Sequence, residues 1–217
     1  MKAILLGSTG FIGKEVLNQC LETPSITSLI ALSRRALPEA AANPKLTVVI
    51  MEHFNSYPDS VLEQLKGADA CIWSIGTYNW DPVVEIEYPE AFQEALLRIL
   101  DVKKTFRYIY LGGAFTEPDQ EKNLWFYAKG RHVRGLAQTN FLEFGKQNQN
   151  VKTYAVRPAA VLAKDGSALL RCLLWMASVK TDELAAVMVD LAVNGGSEQV
   201  VGHKGIVERG RELTKQK

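Results

Sequence analysis

Three glycines in seven residues, Gly7-Ser8-Thr9-Gly10-Phe11-Ile12-Gly13, stand between the apolar run Ala3-Ile4-Leu5-Leu6 and the amphipathic run Ile12 to Leu21. A chain with that order has few ways to fold. The apolar run reads as a buried strand and the amphipathic run as a helix, so the glycines mark the turn between them. Glycine suits three tasks there: turning the chain off the strand, baring backbone N–H groups to a phosphate, and letting the helix pack closely on the sheet. A helix that starts at such a turn aims its free N–H groups and positive dipole end at an anion. Gly7, Ser8, Thr9, Gly10, Phe11, Ile12 and Gly13 therefore read as the loop of a dinucleotide site. Three glycines alone also describe a plain turn, and the strand-to-helix context is what favours the site.

The same alternation continues along the chain. Strand patterns fall at Lys2 to Leu6, Ser28 to Leu32, Leu46 to Met51, Ala70 to Ile75, Tyr108 to Leu111 and Val151 to Val156. Helix patterns fall at Ile12 to Leu21, Ser60 to Leu65, Pro89 to Leu100, Lys122 to Phe144 and Thr181 to Val193. Near-continuous apolar strands separated by amphipathic helices predict a parallel sheet covered on both faces, a doubly wound α/β Rossmann fold. The length, 217 residues, suits one domain. The polar stretch from Gly210 to Lys217 reads as a solvated end.

Charge and cysteine usage narrow the function classes. With 25 basic and 24 acidic residues the chain has no excess charge to attract nucleic acid or an anionic membrane, and a small metabolite is the better-matched partner. Cys20, Cys71 and Cys172 are odd in number and far apart, and Met1-Lys2-Ala3 leads directly into the first strand, so a cytoplasmic protein is expected. Cys71, inside an apolar run, reads as a small buried hydrophobe. His53, His132 and His203 show no metal-ligand spacing, so no metal is expected.

The G-x-x-G-x-x-G spacing of Gly7 to Gly13 resembles the extended and atypical short-chain dehydrogenase/reductases, including their NmrA-like and Tat-interacting-protein-like branches. Arg107-Tyr108-Ile109-Tyr110-Leu111, Tyr127-Ala128-Lys129-Gly130 and Tyr154-Ala155-Val156-Arg157-Pro158-Ala159-Ala160-Val161-Leu162 look like that family's later strands and catalytic helix, in the family's order. The resemblance implies a nicotinamide dinucleotide. Strand two ends in Ser33-Arg34-Arg35, where an NAD enzyme usually places a carboxylate; two guanidiniums there suit the 2′-phosphate of NADP(H), unless both are simply solvated. Phe54 stands where the family contacts adenine, and serves equally well as core. Ser74, Ile75 and Gly76 would run beside the nicotinamide ribose, and Pro158 beside the nicotinamide amide. Tyr78, Trp80 and Asp81 follow on the loop where such sheets bind ligands, as candidate substrate contacts or as core cover.

The family's Tyr-x-x-x-Lys pair is broken. Lys129 matches the lysine and is expected to hold the nicotinamide ribose, but Trp125 stands four residues earlier, and Leu111-Gly112-Gly113-Ala114 offers no hydroxyl for the accompanying serine. Tyr127, two residues from Lys129, would face another side of a helix. A Tyr78 hydroxyl, water or substrate would then replace the missing acid, with Trp125 in the pocket wall. The resemblance implies that the apolar run Ser167 to Ala177, carrying Leu173 and Trp175, forms a short C-terminal substrate-pocket region that roofs a site for an apolar or aromatic metabolite; a core or dimer face fits its composition equally. The leading expectation is an NADP(H)-dependent reductase of an apolar carbonyl or enone by a non-standard proton route. Its rivals are a non-catalytic NADP(H) sensor with a regulatory protein partner, and a non-redox isomerase or cyclase on the same fold.

Overall fold

The computed structural model describes residues 1–38, 40, 42–165 and 178–215. The strands are β1 (Lys2–Leu6), β2 (Ser28–Ser33), β3 (Leu46–Ile50), β4 (Ala70–Trp73), β5 (Phe106–Leu111), β6 (Val151–Arg157), β7 (Ala160–Leu162), β8 (Ser178–Lys180) and β9 (Val200–Gly202). Seven form one sheet in the order β3-β2-β1-β4-β5-β6-β9, every pairing parallel, while β7 and β8 pair with each other alone. The helices are α1 (Phe11–Glu22), α2 (Asp59–Leu65), α3 (Tyr88–Leu97), α4 (Ala128–Gln147), α5 (Thr181–Asn194) and α6 (His203–Lys215), and a π-helical turn, Val83–Glu87, leads into α3.

Side chains alternate across each strand, so an apolar strand feeds two cores. In β4, Cys71 and Trp73 point to one face and Ala70 and Ile72 to the other; Ile4 and Leu6 of β1 part from Ala3 and Leu5 in the same way. The first core is aromatic. Phe92 of α3 meets Tyr108 edge-on at 5.6 Å, and Tyr108 meets Phe141 of α4 at 4.9 Å. The second is aliphatic, built on Val16, Leu184, Met188 and Ile206 from α1, α5 and α6.

Two boundaries differ from expectation in ways that matter. The helix expected over Lys122 to Phe144 begins only at Ala128 and runs to Gln147, because its N-cap Tyr127 takes a left-handed conformation (φ 47°) that no helix interior tolerates. The stretch from Gly210 is not a free end: residues 210–215 continue α6. Ile206 and Gly210 are buried, and a Cβ on Gly210 would lie 2.7 Å from the Glu183 carbonyl oxygen of α5. The short strands β7, β8 and β9 were too brief to show a pattern. The expected apolar helix carrying Leu173 and Trp175 lies outside the described residues.

Candidate active site

Gly7 has φ 86°, and a Cβ there would sit 2.6 Å from the Ser74 carbonyl carbon; a Cβ on Gly13 would sit 2.0 Å from the Gly7 carbonyl oxygen. These two glycines let strand, turn and helix touch. Gly10 is exposed and different: a Cβ there would meet only the Gly7 oxygen, at 3.3 Å. Gly10 caps α1 in extended conformation with no side-chain hydrogen bond, and the first turn holds no acid. The leading N–H groups of α1 thus keep their affinity for an anion. Buried Ser8 Oγ has no hydrogen-bond partner among the described residues. An uncapped helix start, a bare glycine and an orphaned hydroxyl together fit a pyrophosphate.

The turn lies at the switch point of the sheet, where β1 and β4 are neighbours but their chains leave in opposite directions. Ser74 Oγ donates to the Leu6 carbonyl at 2.6 Å and ties the two strand ends together. β4 stops at Trp73, so Ser74, Ile75 and Gly76 are loop. Two hollows open here and share Gly10, Ser74, Ile75, Gly76 and Thr77. The smaller, about 200 Å³, reaches past Ser8 and Thr9 to Ser33, Arg34 and Phe54. The larger, about 430 Å³, runs over Phe11 and Ile12 to Tyr78, Glu85, Gly112, Gly113, Arg134 and Pro158.

Most of the expected site residues therefore meet, with some divided duties. Ser33 Oγ accepts from the Arg35 N–H at 3.2 Å, so it shapes the turn that carries the arginines. Arg34 borders the smaller hollow, whereas Arg35 borders a separate one with Ser8, Thr9 and Lys14. Phe54 is core and wall at once, buried against Tyr88 at 5.9 Å while lining the smaller hollow. Gly13 lies beneath the turn. Lys129 borders a neighbouring hollow with Trp80, Asp81 and Tyr127. There Trp80 is also left-handed (φ 53°); its ring meets Tyr127 at 5.1 Å and covers Gly130, where a Cβ would lie 2.1 Å from Trp80 Cδ2. Trp125 precedes α4 and is 92% exposed, so it does not stand one helical turn before Lys129, and Tyr78 is 96% exposed on the rim.

Two residues of the larger hollow escaped the sequence. Glu85, on the π-helical turn, is buried; its Oε1 accepts from the Thr77 N–H at 2.7 Å and from Thr77 Oγ1 at 3.3 Å. Arg134 of α4 brings Nε to 3.8 Å from Glu85 Oε2. A Cβ on Gly113 would lie 3.0 Å from Arg134 Nη1, so the guanidinium fills the space beside that glycine. Burial pushes the Glu85 carboxyl above its ordinary range and outweighs the opposing pull of Thr77 and Arg134, with Asp81 adding to the rise. The one signal was a carboxylate framed by apolar residues in Val83-Val84-Glu85-Ile86.

No protein-family model matches the sequence. Over 73 residues, 34% of this chain, it is 38% identical to leucinostatins biosynthesis cluster protein T of Purpureocillium lilacinum, and the match spans 27% of that protein. The fold has wider company. Vestitone reductase from alfalfa (Medicago sativa) superposes with a TM-score of 0.67 at 16% identity, covering 93% of this chain and 74% of its own. Gre2 from Candida albicans, solved with NADPH, gives 0.69 at 15% identity, covering 94% and 78%. The chain has a parallel α/β Rossmann fold, the fold of these two proteins. Among the described residues no helix is long and apolar enough to cross a membrane.

Proposed function

We propose that the chain is an NADP(H)-dependent oxidoreductase that reduces an apolar carbonyl or enone. The observation that carries this reading is the convergence on one crevice of the uncapped start of α1, the bare Gly10 and Arg34. Backbone N–H groups after Gly10 would hold the pyrophosphate, and Arg34 the 2′-phosphate, with no carboxylate competing at the end of β2. Gly76 and Pro158 would lie along the nicotinamide half. When bound, such a dinucleotide supplies a hydride. The remainder of the larger hollow, walled by Leu111, Phe115 and Val161, would take the substrate and keep water from it. The cytoplasm is the compartment of this reading.

Calorimetry with NADPH and NADH on wild type, Arg34→Ala and Arg35→Ala tests the reading. NADPH should bind more tightly, and each lost charged hydrogen bond should weaken it by about 1.5–3 kcal/mol. Equal affinity of the wild type for both dinucleotides would overturn it. A second reading, an NADP(H) sensor, draws on Tyr78 and Trp125, which are 96% and 92% exposed and so free to meet a protein partner. Partner capture that depends on NADP⁺ or NADPH would favour it.

A further inference from the structure

We propose that Glu85 and Arg134 are the proton donor and the oxyanion-binding cation of this cleft, in place of the tyrosine and serine that the chain lacks. The inference rests on the reductase reading and names the groups that reading leaves open. Both side chains border the hollow that also holds Gly76, Gly112, Gly113 and Pro158. Arg134 stands beside Gly113, in the region where the family's serine hydroxyl was expected, and there it can donate to a carbonyl oxygen. Glu85 Oε1 is engaged by Thr77, which leaves Oε2, on the Arg134 side, to carry the proton.

The step balances. With a reduced nicotinamide dinucleotide bound, the carbonyl carbon would gain its hydride, and with it two electrons, while the π pair would move onto the oxygen held by Arg134. That oxygen takes the proton from Glu85 Oε2. An alcohol, an oxidised dinucleotide and a Glu85 carboxylate result, and a proton taken up from bulk solvent restores the Glu85 acid.

The charged and titratable groups facing Glu85 are few enough to name. Arg134 comes from α4, Asp81 from the loop before the π-helical turn, and Tyr110 from β5. Burial holds the Glu85 proton to higher pH than an ordinary carboxyl, and Arg134 alone among these charges opposes it. A general acid needs its proton at the working pH, and burial moves Glu85 in that direction. The π-helical turn is the local device that points this carboxylate inward, as such turns often do at functional sites.

The test uses full-length wild type, Glu85→Gln and Arg134→Gln, with NADPH and a panel of hydrophobic ketones, aldehydes and enones. Glu85→Gln keeps an oxygen for the Thr77 N–H but cannot give a proton. It should lose about 10²–10⁴-fold in kcat with NADPH affinity unchanged, and should lose the high-pH fall of the wild-type rate. Infrared titration of the protein without dinucleotide supplies a second readout: a protonated-carboxyl band present in wild type and absent from Glu85→Gln. If Glu85→Gln does not fold, Arg134→Gln decides, since loss of the cation should move that band and the rate limb to higher pH. A Glu85→Gln rate within threefold of wild type, or an Arg134→Gln limb that does not move, overturns the proposal. So does a wild type that binds NADPH and reduces nothing on the panel, which leaves dinucleotide binding intact. A wild type that binds no NADPH brings down both this proposal and the reading beneath it.

Discussion

Gly10 and Gly13 stand three residues apart and answer to different constraints. Gly10 is exposed, a Cβ there would press only on the Gly7 carbonyl oxygen at 3.3 Å, and it faces the proposed pyrophosphate, so Gly10→Val should fold and lose its thermal shift with NADPH. Gly13 has no room at all, and Gly13→Ala should cost about 1–3 kcal/mol of stability through overpacking, read from denaturant midpoints without any ligand. Glu85 makes a prediction about pH. Its folded-state pKa is raised, so the native chain holds a proton that the unfolded chain releases. The stability it lends is full below the ordinary carboxylate range and declines as pH rises toward the folded-state value. Glu85→Gln should flatten that decline in denaturation curves taken from acidic to neutral pH. The places of the glycines at the turn between β1 and α1 and of Arg34 at the end of β2 were legible because the fold fixes both. Glu85 was not, because one carboxylate in a helical pattern reads as a solvated charge until the π-helical turn redirects it.

At the scale of elements, the helix carrying Lys129 shows where periodicity misleads. Polar and apolar spacing continues back to Lys122, yet the helix starts at Ala128, after a left-handed Tyr127 whose ring packs on Trp80 of a distant loop. Trp125→Tyr should therefore leave carbonyl reduction unchanged, measured as NADPH oxidation, because residue 125 is exposed in the preceding loop and a phenol there gains no helical register with Lys129. The C-terminal helix shows the opposite lapse. Its apolar positions, Ile206 and Leu213 either side of Gly210, are sparse among charges, so composition there reads as a solvated end. Gly210→Ala would press on the Glu183 carbonyl of α5, and should lower stability by about 1–3 kcal/mol. For a chain of this size each kcal/mol should appear as a fall of about 2–4 °C in Tm.

Across the whole molecule, the parallel order was readable because strands buried on both faces cannot carry an alternating pattern, and the apolar runs of β1, β2 and β4 announced it. The order of β9 beside β6 was not, as three residues make no pattern. This topology has an electrical consequence separate from net charge. Each helix that follows a strand of a parallel sheet begins at the strand's carboxyl end, so α1, α2, α4 and α6 raise their amino ends along one rim. Their partial charges add there and leave the opposite rim with the compensating sign. Separately from the formal charge of +1, the backbone thus contributes a dipole whose positive pole lies on the rim that holds the crevice. Polyanionic ligands should be steered toward that pole before contact. Stopped-flow association rates for NADPH should accordingly fall as ionic strength rises and the Debye length shrinks from about 30 Å at 0.01 M to about 8 Å at 0.15 M. Dissociation, governed by contacts already closed, should change far less.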